Sequence, residues 1–170
     1  MIDIGVCTHS FRSLTRPEGA ASVGIPCPGT FDGLIDLVAG HGLAIAEAPL
    51  AAGAGLEGAA RLREKAEAVG VRLVLDGGTV ANSPIEMLIP LAAALGSRTL
   101  RLTLSGILEG DRRAVGRAGW EEICAAAARR LRQARPLAEA HDVALAIENH
   151  QDADSDDLLW LCDTVGGDQA

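Results

Sequence analysis

The sequence predicts an α/β protein built on a parallel sheet, and three observations carry that expectation. Five short, mostly apolar runs, 1–7, 43–48, 71–75, 99–104 and 143–148, have strand length and read as strands buried between layers. Between them lie stretches of helical periodicity of about ten to twenty residues, long enough to serve as right-handed crossovers. Polar groups collect after every run, at His9, Glu47, Asp76, Ser105 and Glu148. The C-terminal ends of strands are where α/β folds place their chemistry.

The first run, Met1 to Cys7, leads to Thr8, His9 and Ser10, and residues 11–29 then carry Arg16-Pro17, several glycines and Pro26-Cys-Pro-Gly29. That stretch reads as an irregular loop of the length that usually covers a site. Thr30 can cap a helix through Ala39, with Phe31, Leu34, Ile35 and Val38 on one face. Leu43 to Ala48 is the second strand, apolar until Glu47 and closed by Pro49. A helix from Leu56 to Val69 stops at Gly70.

The third strand, Val71 to Leu75, runs into Asp76-Gly77-Gly78, which reads as a turn. Ser83, Pro84 and Glu86 form a capping signal that opens a helix to Leu95. Thr99 to Leu104 is the fourth strand, residues 107–119 a charged, Gly-rich loop, and Trp120 to Ala140 a long helix with Pro136 in its last turn. The fifth strand, Val143 to Glu148, ends in Glu148-Asn149-His150. Asp154 or Ser155 can cap a last helix through Val165, with acidic residues at the positive end of its dipole.

Composition narrows the function classes. With 170 residues, 48% of them hydrophobic, the chain can bury one sizeable core. A formal net charge of -8 disfavours a phosphate-backbone partner, and 2% aromatics with no Tyr leave few platforms for stacking nucleobases. The N-terminus lacks a basic segment followed by an apolar one, and no apolar run reaches membrane-spanning length. A soluble, cytoplasmic protein is expected, with no nucleic acid and no membrane as partner. Cys7, Cys27, Cys124 and Cys162 show no C-x-x-C spacing, so they read as reduced thiols.

Two architectures fit five successive strand–helix units. One is a complete doubly wound sheet; the other is the first five units of a (β/α)8 barrel, which takes about 250 residues. Polar groups after every strand favour the barrel, because an open sheet concentrates them at one switch point. Among these groups Glu148 stands out, since an apolar strand that runs straight into a carboxylate must give it a partner. That partner can be a loop amide, or a divalent cation held by oxygen ligands in the acidic stretch after it. Glu47 before Pro49 can equally be a solvated strand end, and His150 or His9 a packed imidazole. His41 and His141 read as helix-end residues, and Asp152 to Asp157 as a solvated helix start of which Asp154 alone is a site candidate.

The segment Leu-Arg-Gln-Ala-Arg-Pro-Leu-Ala-Glu-Ala-His-Asp-Val-Ala-Leu-Ala-Ile-Glu-Asn-His, from Leu131 to His150, resembles the fourth helix and fifth strand of the xylose-isomerase-like TIM barrels, the sugar phosphate isomerase/epimerase family. The resemblance implies a fold that is an incomplete (β/α)8 TIM barrel of about five parallel βα units, with 1–170 as the N-terminal part of one domain. It implies a divalent metal, Mn, Mg, Zn or Co, held at the strand ends. Glu148 inherits the role of metal ligand and proton-handling catalytic carboxylate. Glu47 matches an acid near the substrate pocket; His150, His9 and Asp154 are further candidates for contact with substrate.

The family draws its remaining ligands, including a second essential Glu, from strands six to eight, which these residues do not include. The expectation is therefore a metal-dependent isomerase or epimerase of a small sugar, sugar phosphate or polyol, inactive as this piece of a longer reading frame. A metal-dependent endonuclease at abasic sites is the alternative within the superfamily, against which the acidic charge argues. A non-catalytic half-barrel is the third reading. Its open edges would favour a homo-oligomer.

Overall fold

The computed structural model describes residues 3–10, 30–50, 54–107, 112–150 and 152–166. Strands and helices alternate: β1 (Gly5–Cys7), α1 (Phe31–Gly40), β2 (Ile45–Ala48), α2 (Leu56–Ala68), β3 (Arg72–Thr79), α3 (Ile85–Leu95), β4 (Thr99–Thr103), α4 (Gly116–Ala140), β5 (Ala144–Glu148) and α5 (Ser155–Val165). A 3-10 turn, Arg112–Ala114, precedes α4. The strands form one sheet in the order β1-β2-β3-β4-β5. Sequential order without reversal is that of consecutive barrel units; a doubly wound sheet would reverse at a switch point. The loop expected at 11–29 and Cys27 lie outside the described residues.

The chain forms two compact units. The first comprises Met1–Asp76 with Pro90–Leu100, the second Gly77–Ile89 with Arg101–Ala170. In the first, β1 pairs parallel to β2 with Cys7 opposite Glu47, and β2 pairs parallel to β3 with Glu47 opposite Val74. Ala46, Ala48, Leu73 and Leu75 alternate with these and are buried, so the pleat sends one set of side chains to the core and the other, Glu47 included, to the opposite face. α1 packs on β1, β2 and α2 through Leu34, Ile35 and Val38, none of which retains solvent exposure. Its start follows the expectation: the Thr30 hydroxyl accepts the Gly33 N–H at 3.2 Å.

In the second unit α4 packs on α5, on β5 and on the 3-10 turn, burying Trp120, Cys124, Ala127, Ala128, Leu131, Ala134 and Ala138. This stripe repeats at three and four residues and is filled mostly by alanine, which lets the helices approach closely. The helix runs through Pro136 to Ala140. Arg130 clamps the β3–α3 connection by donating to the backbone carbonyls of Val80, Ala81 and Ser83. His41 and His141 are the C-caps of α1 and α4. Among the described residues no helix is long and apolar enough to cross a membrane.

Three expectations are corrected. Asp76-Gly77-Gly78 is not a turn: β3 continues to Thr79, and the Val80 N–H donates to the Thr103 carbonyl at 2.9 Å. Gly78 holds φ at +74°, and a Cβ there would sit 3.1 Å from Ser83 Oγ, so glycine is required at that point. The long helix starts at Gly116 rather than Trp120. The acidic stretch is not uniformly solvated, since Asp152 is only 1% exposed.

Leu102, fully buried in β4, tests the packing. Leu102→Ala is expected to lower unfolding free energy by about 2–5 kcal/mol through lost burial and a residual cavity. Urea unfolding measures it, and a loss below 1 kcal/mol would contradict the burial.

Candidate functional site at the strand ends

Each unit presents its own polar groups at the C-terminal ends of its strands. In the first, His9 follows β1 and places Nε2 3.6 Å from Asp76 Oδ2. His9 is largely exposed and Asp76 almost enclosed. Glu47 is half-buried in β2, across the ladder from Cys7.

In the second unit Arg101, in the middle of β4, donates through Nη1 to Oε2 of Glu148, the last residue of β5, at 2.6 Å. The Arg101 side chain retains 14% of its exposure and that of Glu148 39%. The pair is thus partly shielded from water, and its donor has the fork geometry that fixes a carboxylate in direction as well as charge.

Beyond the strands a second link joins the same two elements. Asp152 Oδ2 accepts the Ser105 N–H at 3.0 Å and the Ser105 hydroxyl at 2.6 Å. The hydroxyl oxygen accepts the Ile107 N–H at 3.1 Å. Among the described residues the other oxygen of this buried carboxylate, Oδ1, has no hydrogen-bond partner, and neither does the buried Nδ1 of His150 two residues earlier.

The start of α5 is closed by a reciprocal capping box: Asp154 Oδ1 accepts the Asp157 N–H at 2.9 Å and Asp157 Oδ2 accepts the Asp154 N–H at 3.0 Å. Arg112 donates to Asp154 Oδ2 at 3.0 Å and to Asp157 Oδ2 at 2.6 Å. Its guanidinium stacks 4.8 Å above the centre of the Trp120 ring, whose Nε1 donates to Asp157 Oδ1 at 3.1 Å. The Asp157 N–H, and after it the Arg112 guanidinium, hold the Asp154 carboxyl below its ordinary range.

The sequence candidates therefore fall in three settings. Glu148 and His150 stand with the Arg101 and Ser105–Asp152 links in the second unit, Asp154 is engaged as a helix cap and ion-pair partner, and Glu47 and His9 belong to the first unit. Arg101 and Asp152 were missed. The signal for Arg101 was present, a charged residue at the centre of Thr99-Leu-Arg-Leu-Thr103, flanked by leucines that alternate onto the core face.

Among the described residues no three His, Cys, Asp or Glu side chains gather as a metal site. Glu148, the expected ligand, has a guanidinium on Oε2. The described residues do not fit a divalent cation: no two further His, Cys, Asp or Glu side chains gather with Glu148, and the Arg101 guanidinium already meets its charge. Cys7, Cys124 and Cys162 are free thiols, Cys124 being buried, and burial is the main cause that pushes its thiol up to about 11.

No family model matches the chain, and no curated protein matches it. Its fold does have solved counterparts. One is a structure of L-ribulose 3-epimerase, with a TM-score of 0.65 and 16% identity, which covers 99% of this chain and 58% of that one. A crystal structure of D-psicose 3-epimerase in the presence of D-fructose has a TM-score of 0.62 and 18% identity over 81% of this chain and 55% of its own. D-psicose 3-epimerase with D-tagatose from Clostridium cellulolyticum H10 gives 0.66 and 14% over 97% and 60%. This chain spans between 55% and 60% of the length of these counterparts. Its fold is that of a partial TIM barrel, five parallel strands with alternating helices.

Three outcomes are expected. Ser105→Ala should cost about 1–3 kcal/mol in urea unfolding, because the buried Asp152 carboxylate loses a donor; an unchanged midpoint would contradict that link. Since Asp154 is more acidic folded than the roughly 3.9 of an unfolded Asp, its contribution is complete above that value and fades as pH falls through the lower folded one. The stability gap between parent and Asp154→Asn should accordingly be complete above about pH 5 and shrink as pH falls below about 4. In the native protein Cys162 should react with a maleimide far faster than Cys124, as read by mass spectrometry.

Proposed function

We propose that these residues form part of an isomerase or epimerase of a small sugar, sugar phosphate or polyol, with Glu148 as the carboxylate that moves a proton. The observation that carries this reading is the placement of Glu148, at the tip of β5 and aimed by the Arg101 guanidinium at 2.6 Å. The fold-level likeness to structures of sugar 3-epimerases supports the substrate class.

A carbon next to a ketose carbonyl loses its proton to a carboxylate within hydrogen-bond reach, and a second acid returns one on the opposite face, inverting that centre. Glu148 serves as one of the two groups. Arg101 fixes its direction, and the Ser105–Asp152 link holds the chain that follows it, so that His150 lies beside the reacting region as a hydroxyl partner. The second acid is assigned to chain outside these 170 residues, which alone are inactive under this reading. A divalent cation, Mn, Mg, Zn or Co, belongs to the family resemblance; it would polarise the substrate oxygens.

The test is solvent deuterium exchange, followed by NMR, on a panel of L-ribulose, D-psicose, D-fructose and D-tagatose. The longer reading frame should exchange one of them and the 170 residues alone none. Glu148→Gln in the longer frame should slow exchange by about a hundred-fold or more. Exchange by the 170 residues alone, full exchange in the variant, or none with any sugar would overturn the corresponding statement.

A further inference from the structure

The first unit carries a cavity of about 420 Å³ at the N-terminal ends of its strands. Ile45 opens β2, Arg72 opens β3 directly across the ladder from it, and Thr99 opens β4. All three line the cavity. The C-terminal half of α2 and the end of α3 complete it through Arg63, Ala66, Glu67, Leu95 and Gly96. This is the opposite end of the strands from the one where His9 meets Asp76.

The walls are largely apolar, with Ala66, Val71, Leu73 and Leu95 buried. The charge is concentrated in the guanidinium groups of Arg63, Arg72 and Arg98, set against the Glu67 carboxylate. Its sign is the reverse of that of the whole chain, which has 15 basic and 23 acidic residues. Cations gathered at one opening repel one another, and an anion seated among them relieves that repulsion. Arg63 is held at the rim by the backbone itself: Gly96 has φ at +75°, and a Cβ there would lie 3.1 Å from Arg63 Cδ, so the arginine stem rests against bare backbone. Arg63 Nε donates to Glu67 Oε1 at 2.7 Å and Arg72 Nη2 to Asp3 Oδ2 at 2.6 Å. Both are exposed pairs, which water weakens. A guanidinium carries five N–H donors and matches carboxylate and phosphate oxygens two at a time.

We propose that this cavity binds a small organic anion, its apolar body against Ala66, Leu73 and Leu95 and its carboxylate or phosphate group among Arg63, Arg72 and Arg98. The volume matches that of small-molecule sites, in which apolar walls supply contact area and a few placed polar groups supply orientation. The site stands apart from the role given to Glu148 and from the sugar class.

Isothermal titration calorimetry of the full chain at low salt is the test, with phenyl phosphate, benzoate and the neutral benzyl alcohol as probes. Phenyl phosphate or benzoate is expected to bind more tightly than benzyl alcohol by about ten-fold or more, and the tighter of the two identifies the anionic group. Arg63→Gln and Arg98→Gln should each weaken that binding about ten-fold. Arg72→Gln replaces either variant if circular dichroism shows it unfolded. No binding of either anion, equal binding of the neutral probe, or an unchanged affinity in the folded variants would overturn the proposal. Because no sugar is used and Glu148 is untouched, the deuterium exchange and this titration succeed or fail independently.

Discussion

The ion pair between Arg101 and Glu148 is the contact on which the reading of this molecule depends. One face of β4 is consumed by the core, through Leu100 and Leu102, and what the strand can offer to chemistry is restricted to the other face and the tip. The carboxylate at the tip of β5 keeps 39% of its side-chain exposure, while the guanidinium beside it keeps 14%. Arg101 supplies its counter-charge from the adjacent strand, and in doing so fixes its orientation.

The loops beyond the strands are held by the same means. Ser105 gives both its N–H and its hydroxyl to Asp152, so that the segment after β5 is tied to the end of β4. A few residues further on, Arg112 joins the 3-10 turn to both acids of the α5 capping box and stacks on Trp120. Arg130 does for the β3–α3 connection what these groups do for the β5–α5 connection, donating to three of its backbone carbonyls. Hydrogen bonds from Ser105 and from the guanidinium groups of Arg101, Arg112 and Arg130 therefore fix the described strand-end geometry of the second unit.

Much of this was legible in the sequence. Alternating apolar runs and amphipathic stretches marked the number of strands and their alternation with helices but left two sheet orders open, and local chemistry marked helix ends at Thr30 and Asp154 because a cap is a contact between residues three apart. What could not be read were contacts between residues far apart. Gly77 and Gly78 are poor strand formers, yet β3 runs through them, with Gly78 at a positive φ and close to the Ser83 hydroxyl where a side chain would be strained. Asp152 looked like one more solvated acid until the fold brought Ser105, 47 positions earlier, to its carboxylate. Arg101 could be seen as out of place in its strand, but nothing local named Glu148 as its partner.

The strand-end geometry requires that Arg101 and Glu148 be energetically coupled rather than merely close. A double-mutant cycle with Arg101→Met and Glu148→Gln, read by urea unfolding at low and high salt, measures that coupling directly. A favourable coupling of about 0.5–1 kcal/mol is expected, reduced but not abolished by salt because the arginine is largely shielded. A coupling indistinguishable from zero at low salt would contradict it.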